Sequence, residues 1–142
     1  MDTLTELEKY LEHECFSFTQ ITIGKHFAPE GYVIEEKNEE YNFCYSERGN
    51  KRIIKTFSEE KALVEYAFHA LNNEKWSKSH LVAWVWSECE IKEAEQILAA
   101  RNISYTRNDI PNYSKGKTAY RIFVFGRDVL LLNEYKKKYM KR

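Results

Sequence analysis

Residues 41–60, YNFCYSERGNKRIIKTFSEE, constrain the fold more than any other stretch of the chain. Two runs rich in aromatic and β-branched residues flank Glu47-Arg48-Gly49-Asn50, and a glycine there accepts the positive φ that a tight hairpin turn demands. Directly after the second run, Ser58 can cap a helix. Glu59 and Glu60 then fall in its first turn, where the positive end of the helix dipole favours carboxylates. A hairpin that leads straight into an amphipathic helix is an α+β signature. No catalytic motif lies within it.

The rest of the chain extends this pattern. Thr3 and Glu6 form a capping box, and Leu4, Leu7 and Leu11 recur at helical spacing, which predicts a helix over 3–14. Residues 16–30 alternate only loosely and carry Gly24 and Pro29, with Gly31 just beyond, so they read as a strand or an ordered loop. Three antiparallel strands are expected at 32–36, 40–47 and 51–57, joined near Lys37-Asn38 and at Arg48-Gly49-Asn50. A second helix, capped by Ser58, buries Ala62, Leu63, Tyr66, Ala67, Ala70 and Leu71 and ends at Asn72-Asn73. Residues 81–86 form a continuous apolar run, expected as a central strand buried on both faces. A third helix starts at Ser87 or Glu88 and ends near Asn102. A short strand at 103–106, a loop at 108–117, a strong strand at 118–125 and a closing helix at 128–141 complete the order. With no linker or repeat, residues 1–142 are expected to form a single α+β domain around one core. Its sheet is antiparallel or mixed, with an N-terminal three-strand meander and helices packed on one side.

The 22 Lys and Arg residues balance the 22 Asp and Glu residues, so composition confers no overall affinity for nucleic acid. Locally the balance breaks: residues 1–71 carry 14 acids against 8 bases, and residues 72–142 carry 8 against 14. The apolar run at 81–86 is far short of the roughly 20 residues that cross a bilayer. The acidic, amphipathic N-terminus lacks the marks of a secretory signal, so a cytoplasmic setting without membrane is expected. Cys15, Cys44 and Cys89 are odd in number and far apart, which suggests neither a disulfide framework nor a zinc knuckle. His13, His26, His69 and His80 make no HxH or HExxH pattern, and the glycines make no phosphate loop. No cofactor, no metal and no enzymatic activity are therefore expected. An enzyme would require His13 or His26 to converge with carboxylates in a cleft.

Two charged surfaces remain. The acidic one, Glu35, Glu36, Glu39, Glu40, Tyr41, Tyr45, Glu47, Glu59 and Glu60, suits a basic protein partner. The basic one, Lys136, Lys137, Lys138, Lys141 and Arg142, has Tyr113, Tyr120, Tyr135 and Tyr139 nearby for base stacking. It defines the alternative, a nucleic-acid-binding accessory protein that uses the C-terminal helix. Cations are also what the dipole favours in a last helical turn, so direct nucleic-acid binding is the lesser expectation.

The segment FCYSERGNKRIIKTFSEEKALVEYAFHAL, residues 43–71, resembles small immunity proteins of bacterial polymorphic-toxin systems: a strand ending in Glu-Arg-Gly, a strand ending in Phe, and a helix with an acidic start. YRIFVFGRDVLLL, residues 120–132, is similar in kind. The likeness covers about a third of the chain and consists of structural motifs rather than catalytic ones. It implies a cytoplasmic, stoichiometric inhibitor that binds one-to-one to the toxic C-terminal domain of a cognate secreted toxin, with a nuclease as the implied target. The closer likeness is to the immunity partner of a wall-associated, contact-dependent toxin that cleaves tRNA. The resemblance transfers no binding residue position by position, so the acidic surface rests on charge and exposure alone.

Overall fold

The computed structural model describes residues 1–142, whose backbone contacts divide into two compact units, Met1–Lys78 and Ser79–Arg142. In the first unit, α1 (Leu4–His13) begins at the expected capping box. The Thr3 hydroxyl accepts from the Glu6 N–H at 3.1 Å, and the Glu6 carboxylate accepts from the Thr3 N–H at 3.1 Å. Leu7 and Leu11, one helical turn apart, are fully buried. The ambiguous segment after it is mostly turns, with a two-residue strand, β1 (Ile21–Thr22), that pairs in parallel with β2 (Gly31–Lys37). β2, β3 (Glu40–Glu47) and β4 (Asn50–Phe57) are the expected antiparallel meander, in the order β1-β2-β3-β4.

Two-residue turns set its register. Asn38-Glu39 and Arg48-Gly49 each have positive φ at both positions, the type I′ requirement whose twist matches that of the flanking strands. Tyr32, Ile34, Tyr41, Phe43 and Phe57 turn to the side occupied by α1 and by α2 (Glu60–Asn72), and close a core with Leu63, Val64, Ala67 and Leu71. Helix α2 starts one residue later than its sequence suggests. Glu59, not Ser58, is the cap residue and its side chain makes no capping bond, while the Glu60 carboxylate accepts from the Leu4 N–H at 2.8 Å and so ties α1 to α2. His69 lies in the last turn of α2 as expected.

The second unit begins after a short 3₁₀ turn (Lys75–Lys78). It contains β5 (Ser79–Val85), α3 (Glu88–Ala100), β6 (Tyr105–Arg107), β7 (Ile110–Ser114), β8 (Lys117–Phe125) and α4 (Asn133–Tyr139). The Ser87 hydroxyl caps α3 through the Glu90 N–H at 3.2 Å. The expected 108–117 loop is instead β7 plus a third turn with two positive φ values, Lys115-Gly116. The central strand is β8, which pairs with β5, β6 and β7, whereas β5 pairs with β8 alone among the strands. The apolar run was therefore a misleading sign of a central position. Its outer edge is covered differently, by a parallel bridge between Trp84 and Met140 and by the Lys141 N–H donating to the Trp84 carbonyl at 2.8 Å. The closing helix is also shorter than expected: residues 126–131 form a 3₁₀ segment, Leu132 leaves helical geometry at φ −118°, and only then does α4 begin. Val82, Ala83 and Val85 with Ile122 and Val124 pack on α3 and α4 through Ile91, Ala94, Leu98, Tyr135 and Tyr139. The α+β class, the meander, and helices packed against a mixed or antiparallel sheet are thus as the sequence predicts.

Candidate functional site

The acidic surface is not one patch. The meander distributes its nine residues over two ends and two faces of the first sheet. At the Asn38-Glu39 end, Glu36 stands opposite Tyr41 in the register, Glu40 opposite Lys37, and Tyr41 opposite Phe57, the residue from which the chain enters α2 through Glu59 and Glu60. Glu36, Glu39, Glu40, Tyr41, Glu59 and Glu60 are gathered here. Burial first, then the charges of Glu36 and Glu60, push the Tyr41 phenol above its ordinary value of 10.0, so it stays a neutral hydrogen-bonding group among carboxylates.

Tyr45 and Glu47 lie toward the opposite end of β3, and an eight-residue strand carries that end about 23 Å away. There Tyr45 packs edge-on against Tyr32 at 5.3 Å and lines an open cleft with Glu47, Arg48, Asn50 and Arg52, a mixed-charge setting. The Tyr32 hydroxyl donates to Glu74 in the same neighbourhood, and burial with that bond raises its phenol to about 12. Glu35 belongs to neither end group. It accepts from Lys51 Nζ at 2.7 Å, a pairing that raises the Lys51 ammonium's pKa and ties up one of the nine candidates in an internal ion pair.

A third grouping brings His26 together with carboxylates beside a cleft, the convergence that an enzyme would require, although no sequence motif marks the partners. Glu8 and Glu12 project from one face of α1 by their i, i+4 spacing, and the turn through Gly24 brings His26 to them. His26 Nε2 is 2.6 Å from Glu12 Oε2 and 3.7 Å from Glu8 Oε2, and its ring stacks on Phe18 with centroids 3.7 Å apart. The Lys25 N–H donates to Glu8 at 3.0 Å, and Lys25 Nζ lies 3.5 Å from Glu12. The His26 bond holds the Glu12 carboxyl below its ordinary value of 4.5, with Lys25 adding to the effect. One potential ligand atom from each of Glu8, Glu12 and His26 lies within 4.8 Å of the others, so the set can hold a divalent cation or act as a histidine-carboxylate ion pair. Glu8 also lines a cleft of about 300 Å³ with Leu4, Ile23, Ile34, Glu35 and Glu36, which connects this cluster to the acidic candidates. His26 was named in the sequence as a residue that could converge with carboxylates; that Glu8 and Glu12 are the ones was not legible, because the histidine reaches them through a turn 14 residues after Glu12.

The basic C-terminal stretch is largely engaged within its own unit. Lys137 Nζ lies 3.1 Å from Glu134, Lys138 Nζ lies 3.6 Å from Glu93, and Lys141 pairs with Glu90. Tyr135 and Tyr139 are core residues: Tyr135 donates to the Ala94 carbonyl at 3.0 Å and Tyr139 to Glu93 at 2.6 Å. Neither offers a ring face for base stacking. No helix is long and apolar enough to cross a membrane. Comparison of the chain with protein-family models, with curated proteins and with solved structures finds no match in any of the three.

Proposed function

We propose that this chain is an immunity protein, an antitoxin that binds and neutralises the toxic C-terminal domain of a cognate secreted polymorphic toxin. The observation that supports this reading best is the acidic end of the first sheet. Glu36, Glu39, Glu40, Glu59 and Glu60 are collected there around Tyr41, on elements whose geometry is fixed by a type I′ turn and a helix start. A nuclease must attract phosphates and therefore carries a cationic groove; a rigid carboxylate cluster of this kind can occupy such a groove and exclude the substrate. The segment that resembles immunity proteins, residues 43–71, folds as the hairpin and helix that frame this end.

Under this proposal a secreted protein with a toxic C-terminal domain is expected to be encoded beside this gene, and the test uses that domain. Expressed alone, that domain is expected to arrest growth. Co-expressed with this chain it is expected to be tolerated, and the two purified proteins to elute as a one-to-one complex. A toxin domain that still arrests growth and forms no complex would overturn the proposal.

A further inference from the structure

The second sheet gathers Arg142 and Tyr113 of the basic surface with Arg121 around Trp84, a tryptophan that no sequence motif marked. A register shift in β5 between Leu81 and Ala83 sets Trp84 opposite Arg121 of β8. The Trp84 indole is only 3% exposed, and Tyr113 of β7 stands edge-on to it with centroids 5.0 Å apart. Two guanidinium groups share this one ring: Arg121 at 5.6 Å and Arg142 at 5.2 Å from its centroid. Neither has a carboxylate partner. Arg121 donates only to the neutral carbonyl and side-chain oxygens of Asn108, at 2.8 and 2.7 Å, and Arg142 makes no ion pair. Trp84 Nε1–H is buried without a hydrogen-bond acceptor. Two like charges therefore lie against one ring without an ion pair of their own, because Asp109, the carboxylate whose charge reaches Arg121, is bonded by Arg107. Burial first, then the charge of Arg142, lowers the pKa of the Arg121 guanidinium, with Asp109 acting in the opposite direction.

We propose that Arg121 and Arg142, seated on Trp84 beside Tyr113, form a docking site for a carboxylate-bearing segment of a partner protein. A protein is favoured over nucleic acid because the guanidinium groups and Tyr113 already occupy the surroundings of the Trp84 ring on which a base would stack. What the cluster still offers is the planar N–H fork that matches a carboxylate. Trp, Tyr and Arg are also the residues that dominate binding energy at protein interfaces. The inference does not depend on the toxin assignment.

The probe is a fluorescein-labelled hexaglutamate peptide, titrated by anisotropy with the full chain at low ionic strength, with a labelled oligouridylate of similar charge in parallel. The peptide is expected to bind and the oligouridylate to bind more weakly. R142Q is expected to lower peptide affinity about tenfold, the loss of one charge-assisted pair. R142K is expected to recover only part of it, and K136Q/K137Q to leave it unchanged. R121Q should behave as R142Q does; because Arg121 also holds Asn108, R142Q decides the matter if R121Q fails to fold. No peptide binding, binding insensitive to R142Q, or preferential binding of the oligouridylate would each overturn the proposal, the last by making the surface a nucleic-acid site.

Discussion

At the scale of residues, three glycines separate backbone freedom from space. Gly31 has φ +117°, and a Cβ there would lie 2.1 Å from the backbone oxygen of Gln20, which cannot move without breaking the β1–β2 entry. Gly24 has φ +55°, and its Cβ would meet Glu8 at 2.3 Å, but that atom is the far end of a flexible side chain. Gly49 has φ +81° and nothing within 4 Å. Alanine substitution should therefore cost about 1 kcal/mol at Gly49, about 2 at Gly24 and on the order of 3 or more at Gly31. Denaturant unfolding checks the order; equal losses at all three would mean that φ alone sets the cost. The sequence marked Gly24 and Gly31 as punctuation but not what they pack against. A glycine's sequence context reports a turn, whereas the atom that forbids a side chain comes from another part of the chain.

At the scale of elements, carboxylates on two helices give the fold an acid limit. Glu6, bonded by the Asp2 and Thr3 N–H groups, and Glu12, bonded by His26, lie on α1; Glu90, bonded by Lys141, and Glu93, bonded by Tyr139, lie on α3. All four have folded-state values below the ordinary 4.5. Their stabilisation is therefore fully present above pH 4.5 and is lost as the pH falls through the lower folded values. Tyrosines set the opposite limit. Burial raises Tyr32 and Tyr139 from 10.0 to about 12 and Tyr135 further, so their contribution holds below pH 10 and fades as the pH climbs through the folded values. Unfolding free energy measured across pH should fall on both sides, with E12Q and E93Q shrinking the acid slope and Y139F the alkaline one. An acid slope unchanged in E12Q/E93Q would remove these pairs as its source. The helix starts at Thr3 and Ser87 were readable because a cap is local chemistry. The N-cap at Glu59 and the break at Leu132 were not: Glu60 is recruited to α1, and Leu132 is buried in the core of its unit.

At the scale of the molecule, charge is divided between the two units: Met1–Lys78 carries 15 acids and 10 bases, and Ser79–Arg142 carries 7 and 12. Under the proposed function, association should be electrostatically steered and should slow as salt rises. Reversing Glu36, Glu40 and Glu59 to Lys should lower the association rate about tenfold or more with little change in folding, whereas reversing Glu47 at the far end should do much less. Stopped-flow mixing with the toxin domain distinguishes the two, and equal effects would show that the acidic end is not the contact. The sequence by itself determined the hairpin turn at Gly49, the capped helix starts, the leucine stripe of α1 and the α+β class, because these depend on propensities and periods that act over a few residues. Tertiary structure alone decided that the nine acidic candidates divide, that His26 meets Glu8 and Glu12, that β8 rather than β5 is central, and that Arg121 and Arg142 share one tryptophan. Each of these joins residues from different elements, and the register and packing that bring them together are set by the fold as a whole.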